Sequence, residues 1–190
     1  MIRFYQEMLY QVRFGVPIWF CLLACSWMPD ISPVIRLRGL LISCFLPGRP
    51  RGLTLGRDVT LLSIDKLVIG DDVYLAKGVW INAIGGVRLK DEVVLAPYVV
   101  MSSTNHGFLN DSVKRGGAHP APISIGRGSW LASHSVVAAG VDVASGNLIA
   151  ANSVVTKSTE VNSVYAGVPA IKIKDRVDNP SEINSKHDIK

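Results

Sequence analysis

Several things are scarce in this chain of 190 residues. Its longest nearly unbroken apolar run, Val16 to Met28, holds 13 residues, short of the roughly 20 that a membrane-spanning helix needs. Cysteine occurs three times, at Cys21, Cys25 and Cys44. The odd count, apolar surroundings and absence of metal-ligand spacing argue against a disulfide framework and predict buried free thiols in a reducing compartment. Charge is spread thinly: 20 basic against 15 acidic residues give a net charge of +5, with no dense basic run interleaved with aromatics. Nucleic acid is therefore not an expected partner, whereas an anionic small ligand or a membrane surface is. No Gly-x-Ser-x-Gly elbow occurs, and Ser102 and Ser103 precede His106 too closely to form a triad, so covalent catalysis has no support. The four histidines lack the spacing of a metal set, and no metal is expected.

What the chain has instead is a beat. Leu55, Leu61, Ile69, Leu75, Ile81, Leu89, Leu95, Met101, Ile125, Leu131, Val137, Val143, Ile149, Val155 and Val161 recur mostly at six-residue intervals. Four residues after many of them stands a small or β-branched side chain, as at Val73, Val79, Val93, Val99, Ser129, Ser135, Val141 and Ser153. A period of six fits neither an amphipathic helix nor a simple alternating strand; it fits a parallel β-helix whose coil has three flat sides. One large aliphatic per side points into the prism, and burying each contributes about 1.5–3 kcal/mol.

The lapses in the beat are also ordered. Leu61 to Ile69 and Ile81 to Leu89 are eight residues apart, and after Met101 the rhythm resumes only at Ile125. The extra chain, residues 107–122, is predicted to leave as a loop from the same corner that the earlier coils expand, and Gly116, Gly117, Pro120 and Pro122 suit irregular backbone. A long loop inside a compact repeat is more often functional than idle. His106 stands where it leaves, and twenty residues earlier the corner holds Gly86. That places an imidazole, suited to accept a proton from a hydroxyl, beside an open space. A hydrogen-bonding role with Asn105 is the alternative at this stage. His119, His134 and His187 read as loop, face and tail residues.

Residues 1–52 are different material. Phe4, Tyr5, Met8, Leu9 and Val12 make an amphipathic helix ahead of the apolar run, and 33–45 reads as a second short helix. The segment is expected to cap the open end of the prism or pack on a neighbouring subunit; the other reading is an anchor to a membrane surface through residues 1–50. At the far end Gly167-Val168-Pro169-Ala170 breaks the repeat, and the chain beyond Asp175 reads as a short helix or frayed tail. The organisation expected is thus a helical cap over 1–52, a β-helix over 53–166 and a basic C-terminal segment over 167–190.

Residues 53–174 resemble the hexapeptide-repeat acyltransferases, in particular the galactoside, maltose and nodulation-type O-acetyltransferases. The matching segments are Leu95-Ala96-Pro97-Tyr98-Val99 leading to Asn105-His106, Ser129-Trp130-Leu131-Ala132-Ser133-His134, Ala150-Ala151-Asn152-Ser153-Val154-Val155-Thr156-Lys157, and Ala166-Gly167-Val168-Pro169-Ala170. The resemblance implies an all-β fold, a left-handed parallel β-helix. It also implies a homotrimer with acetyl-CoA bound in a groove between two subunits, and direct transfer of acetyl to a hydroxyl. His106 then matches the general base, Asn82 the residue that places the acceptor, and Trp130 a wall of the site. Ser133, Ala151, Thr156 and Lys157 match the pantetheine groove, and Lys172 and Lys174 match basic positions near the CoA phosphates. Ala132 and Asn152 replace common glycines, and Gly107 follows the histidine where proline is usual. The apolar N-terminus is more similar to the polysaccharide O-acetyltransferases. A sugar hydroxyl of a surface polysaccharide or its precursor is therefore the expected acceptor, and a cytoplasmic site at the inner face of a membrane the expected location. A small-molecule acceptor (free sugar, serine or antibiotic) and a non-catalytic β-helix scaffold are the alternatives.

Overall fold

The computed structural model describes residues 2–176. From Thr54 onward the chain winds as a parallel β-helix with three faces, and the six-residue beat becomes three ladders inside it. On the first face Leu55, Leu75, Leu95, Leu131, Ile149 and Tyr165 stack in register. The second stacks Leu61, Ile81, Met101, Val137 and Val155. The third stacks Ile69, Leu89, Ile125 and Val143. Nearly all are buried, and so are the small residues four positions on, including Val79, Val99, Ser135 and Ser153. Each coil rests only on its neighbours, which makes the core one-dimensional.

The chain turns between faces at corners where several residues take the left-handed conformation without being glycine, among them Asp72, Glu92, Tyr98, His134 and Asn152. That conformation is costly for an L-residue. It is offset by backbone ladders across coils, as where the His134 N–H donates to the Pro97 carbonyl (3.1 Å) and the Asn152 N–H to the Ser133 carbonyl (3.0 Å). The eight-residue corner between the second and third faces of the first coil holds a 3-10 turn, Ile64–Lys66, with Ile64 buried.

The N-terminal segment is helical. Helix α1 (Ile2–Tyr10) runs through a π-helical turn, Gln11–Gly15, into α2 (Val16–Ala24), and α3 (Ser32–Ser43) follows. Pro17 and Pro33 both stand in first turns, where a missing N–H costs nothing. Helix α3 lies directly on the first coil: a Cβ added at Gly39 would sit 1.8 Å from the Leu53 carbonyl oxygen. Ile18 and Ile42 join the hydrophobic core, and the Ile64 N–H donates to the Tyr10 hydroxyl (3.1 Å). Buried Arg38 bonds Asp30 and the carbonyls of Cys25 and Met28, and Asp30 also accepts from the Arg57 N–H. Among the described residues no helix is long and apolar enough to cross a membrane.

Three expectations are corrected. Val161 does not keep the beat: it is exposed, and the first face is continued by Tyr165 in the strand Ser163–Gly167, which pairs antiparallel with Ala170–Asp175. Of the three free thiols only Cys25 is buried; Cys21 is half-buried, and Cys44, which follows the last residue of α3 and lies beside the carbonyl of exposed Leu40, is exposed. The segment after Met101 is regular rather than loose. Thr104–His106 pairs antiparallel with Ala118–Pro120, and a helical turn, Val113–Gly116, lies near its tip. The end of the C-terminal segment, with His187, lies outside the described residues.

Candidate functional site

The hairpin arm leaves the prism at the second corner, between the second and third faces. Ser103 anchors its root: its hydroxyl donates to the Asn82 carbonyl (2.8 Å) and accepts from the Gly85 N–H (2.9 Å), and its carbonyl accepts from the Ala121 N–H (2.9 Å). The arm carries His106 outward, so the imidazole does not sit over Gly86 as counting along the coils suggests. The coil position against Gly86 is taken by the returning strand, with the Ile123 N–H bonded to the Gly86 carbonyl and Pro122 nearest to it. His106 is exposed, and no hydrogen bond among the described residues engages its ring.

On the ribbon His106 faces Ala118, and Asn105 faces His119. Since successive side chains of a strand alternate sides, the two histidines lie on opposite faces of the arm. His119 folds over Gly107, where a Cβ would come within 2.6 Å of its Nε2. Proline, the usual residue after the histidine in the resembling family, would collide there; glycine makes room for His119. The tip of the arm presents Phe108 and Leu109 to solvent.

Asn82 sits at the foot of the arm, paired with Ser102 in the next coil, and its side-chain oxygen accepts from the Ile84 N–H (3.2 Å). Thr156 and Lys157 follow the second-face strand Val154–Val155, which brings them to the same corner two coils beyond the arm and three beyond Asn82, both exposed. The second corner thus gathers Asn82, His106, Thr156 and Lys157.

The remaining residues fall elsewhere. Ser133 and Ala151 occupy the first corner, between the first and second faces, in successive coils. Trp130 projects from the first face just before it, 47% exposed and alternating with the buried Leu131. A strand of about five residues spans roughly 15 Å, so one face of the prism separates the two groups within a single chain. Tyr98 and His134 belong to the first corner as well, their rings stacked with centroids 5.1 Å apart. Nothing local in the sequence signals that contact, because the inserted arm makes the two coils unequal in length. His134 here is a corner-packing residue.

The two lysines differ. Lys172 is held by Glu160 (2.6 Å) and Asp175 (2.7 Å), and these hydrogen bonds, Asp175's first and Glu160's next, push its ammonium above the ordinary lysine value. Lys174 lies exposed on the same strand with no partner among the described residues. Of the pair, Lys174 is the one available to a phosphate. Ala151 at the first corner and Thr156 at the second are both exposed and each leaves room beside its own corner for an extended thioester arm, so the residues present fit acetyl-CoA as a co-substrate.

No protein-family model matches the chain. Curated relatives do, and two of them are informative. Galactoside O-acetyltransferase of Escherichia coli strain K12 is 38% identical over 89 residues, 47% of this chain and 44% of that protein. The chain therefore spans less than half of that enzyme's length. A protein of the same strain named for colanic acid biosynthesis, the acetyltransferase WcaF, is 27% identical over 167 residues, 86% of this chain and 88% of that one. Among solved structures, the hexapeptide-repeat acetyltransferase VCA0836 of Vibrio cholerae, complexed with acetyl-CoA, superposes with a TM-score of 0.67 at 17% identity, over 88% of this chain and 89% of that one. In fold the chain is a left-handed parallel β-helix like these acetyltransferases, and in sequence it is similar to the O-acetyltransferases named above.

Proposed function

We propose that the protein is an acetyl-CoA-dependent O-acetyltransferase, that it works as a homotrimer, and that its acceptor is a sugar hydroxyl of a surface polysaccharide or its precursor. The observation that carries this reading is the division of the site residues between two corners of one chain. His106 and Asn82 stand at one, Ser133, Ala151 and Trp130 at or beside the other. A cyclic assembly presents the second corner of each subunit to the first corner of the next, and all of them then line one groove. The apolar tip at Phe108 and Leu109 suits the same contact. The glycan acceptor is supported by WcaF, a relative matched over most of both chains.

In this groove the His106 imidazole removes the proton of the acceptor hydroxyl as its oxygen attacks the acetyl carbonyl. The new ester bond forms, the carbon–sulfur bond breaks, and the imidazolium returns its proton to the leaving thiolate. Backbone amides at the corner stabilise the developing oxyanion. Asn82 orients the hydroxyl, Trp130 walls the acceptor, and Thr156, Lys157 and Lys174 receive the pantetheine and phosphate groups. A cytoplasmic location at the inner face of the membrane follows from the use of acetyl-CoA on such a precursor.

The test is His106→Ala, with acetyl transfer followed from acetyl-CoA and the assembly checked by light scattering. A loss of about 10²-fold or more with the trimer intact is expected of a general base. Undiminished transfer removes His106 from the reaction, and a wild-type protein that fails to bind acetyl-CoA in calorimetry supports a scaffold instead. The galactoside relative favours a second reading, a free sugar as acceptor. Transfer to a free galactoside as fast as to the glycan would establish it.

A further inference from the structure

We propose that the outward face of α1 and α2 is a docking surface for an anionic lipid bilayer, a role that does not depend on the reaction assigned above. Helix α1 turns polar residues inward, while α2 is apolar on both sides, with Ile18, Cys21 and Leu22 packed on the core. Gln6, Glu7 and Tyr10 line the crevice against Ser63, Asp65 and Lys66 of the first coil. The face turned to solvent carries Phe4, Val12, Trp19, Phe20, Leu23 and Trp27, of which Trp27 is 79% and Phe4 75% exposed. A helix that merely covered the end of a water-soluble prism would present polar residues on its outer side. From Phe4 to Trp27 the stripe extends on the order of 35 Å at the rise of an α-helix. That is more contiguous apolar surface than a protein leaves in water without a partner.

Its chemistry selects a lipid surface. The polar groups offered along the stripe are the indole N–H groups of Trp19 and Trp27 and the Tyr5 hydroxyl, which are the side chains that settle at the headgroup level of a bilayer. A protein partner's interface would call for about one hydrogen bond per 100–200 Å², and the stripe is poor in groups to make them. Charge points the same way. Arg13 is exposed beside the stripe and Arg36 on α3, Glu7 is the one carboxylate before Asp30 in the sequence, and Asp30 is consumed by Arg38 and Arg57. An apolar band with cationic flanks, on helices too short to span, binds in the plane of an anionic interface.

The experiment is co-sedimentation of the full chain with vesicles of phosphatidylcholine alone and of phosphatidylcholine with about 30 mol% phosphatidylglycerol. The protein is expected to pellet with the anionic vesicles, less at high salt, and poorly with the neutral ones. The double variant Trp19→Glu, Leu23→Glu is expected to weaken binding by at least about tenfold with its light-scattering mass unchanged. Protein that stays in solution with both vesicles overturns the proposal, as does a variant that binds like the wild type. A variant that dissociates to a smaller mass assigns the stripe to a contact between copies instead. Where the double variant does not fold, quenching of wild-type tryptophan fluorescence by brominated lipid decides the question; absence of quenching overturns the proposal.

Discussion

Ser135 shows how sharply one position in the ladder can be judged. Its hydroxyl is buried with no hydrogen-bond partner among the described residues, whereas buried Ser103, Ser129, Ser153 and Ser163 each find one. Earlier coils place Val79 and Val99 at the equivalent point, so the site does not need a polar group. Ser135→Ala removes an unsatisfied hydroxyl at small loss of volume and is expected to raise stability by about 1 kcal/mol, read as a higher urea midpoint with an unchanged slope. At this scale the inward residues were legible because a period of six leaves one solution for Leu55 to Val155. The Tyr98–His134 stack was not, since the 36 residues between them equal one coil only when the inserted arm is subtracted. Val161 fits the beat in composition but not in place, because no third-face strand forms between Val155 and Ser163 and the side chain stays exposed before Tyr165 resumes the first face.

Among the elements, the helical cap is joined to the prism by two features that mutation can separate. One is steric. Gly39 brings α3 against the Leu53 carbonyl, so Gly39→Ala forces the helix off the first coil, and a loss of roughly 1–3 kcal/mol is expected in denaturant titration. The other is electrostatic. Partial burial works to raise the Asp30 carboxyl, but hydrogen bonds from Arg38 and the Arg57 N–H, with both positive charges, hold it below its ordinary value. A carboxylate whose folded value is depressed contributes stability above its unfolded value and loses it as pH falls through the folded one. The contribution should therefore be whole above the ordinary carboxylate range, near about pH 4, and fade below it. Asp30→Asn should flatten that acid limb in urea midpoints measured from neutral to acid pH. Asp71 and Glu92, held low by Arg51 and Arg127, leave the variant a residual slope. The helices themselves were legible from their apolar spacing. The apolar outer side of α1 and α2 was not, because periodicity gives a face without saying which way it turns.

For the whole molecule, the proposed trimer would make activity a property of neighbouring subunits, because the matched residues divide between two corners. The motifs could be matched residue by residue along the sequence, but their separation by a face depends on how coils and corners count out in space, which only the fold supplies. In the proposed trimer, each groove takes His106 from one chain and Ala151 from the next. His106→Ala removes the base, and Ala151→Trp fills the exposed position where the thioester arm would lie; each variant alone should be inactive. Mixed by refolding together in equal amounts, they yield some grooves with His106 from an Ala151→Trp chain and Ala151 from a His106→Ala chain. Random assembly makes that combination at about one interface in four, so about a quarter of wild-type acetyl transfer should return in the mixture. A site built within one chain restores nothing on mixing, because every chain then carries its own defect. Recovery that depends on co-refolding, and is absent when the folded variants are simply combined, would place the groove between subunits.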